Sequence, residues 1–150
     1  MSGAGFLCGT MSPAPITANQ SIDSLPNVKA DAKKVILFLP EGEFHELGLL
    51  YLNYELVLRG CNTIYLGQSL PLNNLNHFFK SDNKICFITS MTVMPYDAKV
   101  EEYFKELDTI LNATNHQLIA LGRKTKLVED LNFNSEISIY NSVTDLLKVL

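Results

Sequence analysis

No apolar run in this 150-residue chain approaches the roughly 20 residues that a membrane-spanning helix needs. The short apolar stretch near the start has no basic flank and is broken by Gly and Pro, so it makes a poor secretory signal. Cationic charge is scarce as well. Twelve Lys and Arg stand against 16 Asp and Glu, a net charge of −4, and such a chain does not grip nucleic acid through a general electrostatic field. Cysteine is limited to Cys8, Cys61 and Cys86. The number is odd and no C-x-x-C occurs, so neither a disulfide framework nor a zinc site is expected. The expectation is three reduced packing cysteines in a cytoplasmic protein.

Several catalytic signatures are missing too. There is no H-E-x-x-H, no G-x-S-x-G elbow and no phosphate-binding G-x-x-x-x-G-K-[ST] loop. Gly3-Ala4-Gly5 follows no strand and is not a dinucleotide fingerprint. What remains is an ordinary globular balance, 47% hydrophobic and 19% charged, with material for a core.

Residues 1–33 are rich in Gly, Ser, Pro, Ala and Asn without periodicity, which predicts a flexible tail or linker ahead of an α/β domain over 34–150. From Lys34 the pattern turns regular. Val35–Leu39 is a continuous apolar run, as expected of a strand buried on both faces. Glu46–Arg59 reads as a helix ended by Gly60, and Asn62–Leu66 as a second strand closed by Gly67. Leu72–Lys80 reads as a short helix and Ile85–Thr89 as the most central strand. The clearest helix has Val100, Tyr103, Phe104, Leu107, Ile110 and Leu111 on one face, with Asp97 as its expected N-cap. Gln117–Leu121 and Ile137–Tyr140 are strands four and five. A short helix near Thr125–Leu131 is expected between them, and Val143–Leu150 is the last helix. Five alternations of strand and helix predict a flavodoxin-like (Rossmann-like) parallel sheet, order 2-1-3-4-5, with helices on both faces.

Ligands of such sheets collect at the carboxyl ends of the strands. There the chain carries Glu41–Gly48 after strand one, Ser90-Met91-Thr92 after strand three and Gly122-Arg123 after strand four. His45, on a loop leading into a helix, suits a transition metal. Glu43, two residues earlier, is placed to hold the other ring nitrogen. Ser90 can hold that carboxylate in turn. Gly48 and Gly122 remove side chains where something bulky would lie close to the backbone. Residue types alone leave flavin, nucleotide and phosphate ligands open, although Glu41, Glu43 and Glu46 would repel a flavodoxin's phosphate. His77 is expected to be solvated, and His116 lies at the opposite end of the sheet.

These residues together resemble the cobalamin (vitamin B12) binding domain, whose hallmark is D-x-H-x-x-G after strand one, S-x-L or S-x-T after strand three and Gly-Gly after strand four. Here stand Glu43-Phe44-His45-Glu46-Leu47-Gly48, Ser90-Met91-Thr92 and Gly122 followed by Arg123. The chain departs from the pattern in Glu43 for Asp and Arg123 for Gly. The resemblance covers about residues 33–150 and is greatest to the sensor module of MerR-type, B12-dependent transcriptional regulators. It implies His45 as the lower ligand of cobalt in adenosylcobalamin or methylcobalamin, with the cofactor's own base displaced. It implies that Glu43 orients His45, and that Ser90, Thr92, Gly48 and Gly122 line the slot for the displaced nucleotide tail. Phe44, Gly67 and Met91 complete the implied cofactor-binding set. It further implies a non-enzymatic sensor, photoreceptor-like through the cobalt–carbon bond. DNA would be contacted only through a separate helix-turn-helix domain that residues 1–33 cannot supply. The chain would then be a dissected sensor or a lower half that meets a helical-bundle cap or a second copy. A corrinoid-carrying module of a methyltransferase or mutase, and a degenerate interaction domain without cofactor, are the alternatives.

Overall fold

The computed structural model describes residues 32–150, and the expected tail lies outside them except for Ala32 and Lys33, which have no regular structure. Among these residues five strands and four α-helices follow one another, alternating except between the fourth and fifth strands: β1 (Lys34–Pro40), α1 (Leu47–Leu58), β2 (Asn62–Leu70), α2 (Asn76–Phe79), β3 (Ile85–Ser90), α3 (Asp97–Asn112), β4 (Gln117–Leu121), β5 (Glu136–Tyr140) and α4 (Val143–Leu147). All strand pairs are parallel and the order is β2-β1-β3-β4-β5, the expected flavodoxin-like arrangement.

Burial on both sides explains the unbroken apolar runs of β1, β3 and β4. Side chains alternate across a strand. Val35, Leu37 and Leu39 therefore meet Leu49, Leu52 and Leu56 of α1 and Leu146 of α4. Ile36 and Phe38 face the other way, onto Leu75, Phe79, Leu107 and Leu111. A third cluster, Met91, Val100, Phe104, Ala120 and Val128, lies under the start of α3. Each such side chain, fully buried, contributes on the order of 2 kcal/mol.

Element ends differ from expectation where local chemistry overrides pattern. β2 does not close at Gly67 but runs on to Leu70 through register shifts opposite Phe38 and Pro40. The second helix is a 3-10 turn over Leu72–Leu75 followed by a single α turn, because so short an apolar segment cannot sustain an α-helix. The expected helix near Thr125–Leu131 is a 3-10 turn over Arg123–Leu127. Asp97 is the first residue of α3 rather than its cap; its carboxylate pairs with Lys124 instead of the helix amides. Cys86 is free and buried as expected, and burial pushes its thiol up to about 12. Cys61 is disulfide-bonded, which corrects the expectation of three reduced cysteines.

Candidate functional site

The loop from Glu41 to Glu46 is tied down on both sides. Gly42 donates its N–H to Ser69 Oγ at 3.1 Å, and Ser69 N–H donates to the Glu43 carbonyl at 3.1 Å. Gly42 has φ +79°, and a Cβ there would stand 2.9 Å from Met94 Cε. A side chain would thus meet both backbone strain and a neighbour. The loop after β1 is thereby held between the end of β2 and the loop after β3.

Glu43 is fully buried and takes six hydrogen bonds. Its Oε1 accepts from the Phe44 and His45 amides, both at 3.0 Å, and from His45 Nδ1 at 2.7 Å. Its Oε2 accepts from three successive amides of the other loop, Thr92 at 2.8 Å, Val93 at 2.6 Å and Met94 at 2.9 Å. Burial would raise its pKa. The amides of Met94 and Val93, then the His45 ring and amide, outweigh that and hold the carboxyl at about 2, against an ordinary 4.5.

An ionised carboxylate only accepts, so His45 Nδ1 carries the proton toward Glu43. In the neutral ring Nε2 then keeps its lone pair. Among the described residues Nε2 has no hydrogen-bond partner, and the side chain is 61% exposed. A fixed tautomer with one open nitrogen is how a metal-ligating histidine is prepared. The loop after β1 and the start of α1 carry exposed apolar side chains, Phe44 and Leu47, and the loop after β3 carries Val93 and Tyr96. Among the described residues no group of three or more His, Cys, Asp or Glu is placed to hold a bare metal ion.

The remaining expected site residues divide. Thr92 joins the pair directly, through its amide. Ser90 ends β3, buried, but among the described residues no hydrogen bond joins it to Glu43; the three amides take that place. Met91 turns its side chain into the third core cluster. Gly48 sits on the first turn of α1, where a Cβ would touch Val143 Cγ2 at 3.6 Å. Gly67 lies in β2 opposite Phe38 in open space, and its neighbours Gln68 and Ser69 make the bonds to the rim loop. Gly122, at φ +101°, is where a Cβ would fall 2.6 Å from the Met91 carbonyl oxygen; its smallness serves the meeting of two backbones. His77 is exposed, as expected. His116 is buried at the far end of the sheet, accepting from Ile85 N–H and bonded through Nε2 to the Phe79 carbonyl.

Val93 and Met94 were not legible as site residues. They act through N–H groups, which every residue except proline supplies, so no residue type announces them. Glu46, unassigned beforehand, accepts from Tyr65 Oη at 2.8 Å and ties the start of α1 to β2.

No family model and no curated protein matches the chain. Among solved structures it is similar to a novel cobalamin-binding protein from Desulfitobacterium hafniense DCB-2, with a TM-score of 0.57 and 15% identity over 79% of this chain and 58% of that one. It is also similar to the monomethylamine corrinoid protein of Methanosarcina barkeri, with a TM-score of 0.56 and 16% identity over 85% of this chain and 60% of that one. The likeness establishes a shared fold, and the chain spans about three-fifths of the length of each of these proteins. Among the described residues no helix is long and apolar enough to cross a membrane.

Proposed function

We propose that this chain is a cobalamin-binding module, with His45 as the lower ligand of the cobalt. The observation that carries this reading is the Glu43–His45 pair at 2.7 Å, which leaves Nε2 as an open donor. One imidazole cannot hold a bare ion, so the metal must arrive with most of its ligands already attached. An exposed apolar rim of Phe44, Leu47, Val93 and Tyr96 suits the flat face of such a macrocycle. The E-x-H-x-x-G and S-x-T signatures and the fold shared with two corrinoid-type proteins favour a corrin.

In this reading the protein's own residues bind and orient. Glu43 fixes the ring and its tautomer, while the amides of residues 92–94 keep Glu43 ionised. Gly48, on the first turn of α1, would border the displaced tail, and Arg123, exposed after β4, would be available to its phosphate. The cofactor supplies the cobalt–carbon bond and its reactivity. We assign the module a non-enzymatic, cytoplasmic sensor role in a transcriptional regulator, on the strength of its sequence resemblance. DNA recognition and any capping bundle would be supplied outside these residues. The likeness to the monomethylamine corrinoid protein favours a second reading, a corrinoid carrier serving a methyltransferase.

The test is direct. The purified chain is mixed with hydroxocobalamin, freed of unbound cofactor and examined by visible spectroscopy. The expected result is a retained base-off, histidine-bound spectrum that is lost in His45→Ala. No retained colour at saturating cofactor overturns the reading. Reaction of the bound cofactor with a methyl donor and its methyltransferase would identify the carrier; a light-dependent change in DNA binding of a longer form would identify the sensor.

A further inference from the structure

Helix α1 is apolar on the side that faces water as well as on the side that faces the sheet. Leu49, Leu52 and Leu56 pack with Val35, Leu37 and Leu39 of β1. On the opposite side Leu47, Leu50, Tyr51, Tyr54 and Leu58 are all exposed, Leu47 by 82% and Tyr54 by 59%. At 3.6 residues per turn these five fall within an arc of about 100°. No charged residue lies inside that arc. Glu55 and Arg59 stand on its border, half-buried and paired with each other at 3.9 Å. A helix apolar all round is the kind that proteins cover on both sides. The five side chains together expose roughly 600 Å², the upper end for the largest apolar patch of a monomer.

We propose that this stripe is the seam of a homodimer, in which α1 packs antiparallel on α1 of a second copy. A two-fold contact must match itself. Turned end for end about its middle, the stripe does: Leu47 meets Leu58 and Tyr51 meets Tyr54. Antiparallel packing also sets the two helix dipoles favourably. Two such stripes bury roughly 1,200 Å², the area at which specific, stable interfaces begin. A chain of net charge −4 repels its own copy, so contact is favoured where charge is absent, as it is here. A strongly charged partner would find nothing in the stripe to pair with. The middle of the seam lies about 8 Å along the helix from Leu47, on the side away from the His45 loop.

Sedimentation equilibrium of the full chain, from about 10 to 500 µM, reads the assembly. We expect twice the mass of one chain, with dissociation in about the tens of micromolar or tighter. Tyr54→Lys and Tyr51→Glu should each weaken the dimer at least about thirtyfold. Both side chains are exposed, so far-UV circular dichroism and the thermal midpoint should hold. An equimolar mixture of the two variants should recover a heterodimer, because the new lysine of one chain faces the new glutamate of the other. A monomer at the highest concentration overturns the proposal and leaves the stripe to residues 1–31 or to a different protein. A dimer unaffected by either substitution, or a mixture no more dimeric than its components, overturns it as well. The measurement needs no bound cobalamin, so its outcome is independent of the reading of His45.

Discussion

Glu43 stands where the resembled pattern has aspartate, and its single carboxylate joins both rim loops. One oxygen serves Phe44 and His45 and the other serves residues 92–94. Because its folded pKa is depressed, the stability it contributes is complete above its ordinary value of 4.5. That contribution is lost as pH falls from about 4.5 toward 2. Denaturation of the cofactor-free chain should lose up to about 3 kcal/mol across that window. Glu43→Gln should lack most of this acid dependence and be less stable at neutral pH, since its NH2 group would face N–H donors. Urea melts of both forms at pH 7 and pH 3 check this. Glu43 and His45 were legible in the sequence because their chemistry resides in side chains two residues apart. Ser90 was a sound candidate by type, yet the amides of Thr92, Val93 and Met94 satisfy the carboxylate instead.

The two rim loops gain their precision from the elements that flank them. The loop after β3 is braced from β4: Met91 N–H donates to the Leu121 carbonyl at 2.8 Å and Lys124 N–H to the Met91 carbonyl at 3.1 Å. Gly122 makes that approach possible. Gly122→Ala should destabilise the protein by about 3 kcal/mol, from a forbidden backbone conformation and a clash with the Met91 carbonyl. It should also weaken hydroxocobalamin retention by disturbing residues 92–94. Thermal melts and the spectral assay separate the two effects. At this scale pattern served well for α3, whose buried Val100, Phe104, Leu107 and Leu111 repeat at helical spacing. It also gave α1, expected over Glu46–Arg59 and found over Leu47–Leu58, but a helix apolar nearly all round does not announce its buried face. Leu49, Leu52 and Leu56 are buried, while Leu47, Tyr51, Tyr54 and Leu58 are exposed. The register shift in β2 was also invisible, because it answers to the rim loop through Ser69 and not to the strand's own residues.

Across the whole molecule the sheet separates a rim that carries chemistry from an opposite edge that carries support. His116 belongs to the second. Ile85 N–H donates to its Nδ1 at 3.2 Å, so Nε2 bears the proton and donates to the Phe79 carbonyl at 3.2 Å. One ring thus ties the start of β3 to β4 and the end of α2. His116→Ala leaves two buried backbone groups without partners and a cavity beside Phe87, which its ring contacts edge-on at 5.7 Å. We expect a loss of about 3 kcal/mol in chemical denaturation with cobalamin retention intact. A joint loss of binding and stability would contradict the separation of the two edges.

The sequence by itself determined the alternation of strands and helices, the parallel order 2-1-3-4-5 and the rim on which Glu43, His45, Thr92 and Gly122 lie. Those follow from apolar periodicity and from the short connections that force right-handed crossovers, both written in consecutive residues. Only the tertiary structure decided that three amides hold Glu43, that Met91 belongs to the core, that Gly122 serves a backbone contact and that a cleft opens between the ends of β1 and β2, the loop after β3 and α3. Backbone donors look alike in every residue, and clefts are made by segments distant along the chain. Neither leaves a local mark that a sequence can display.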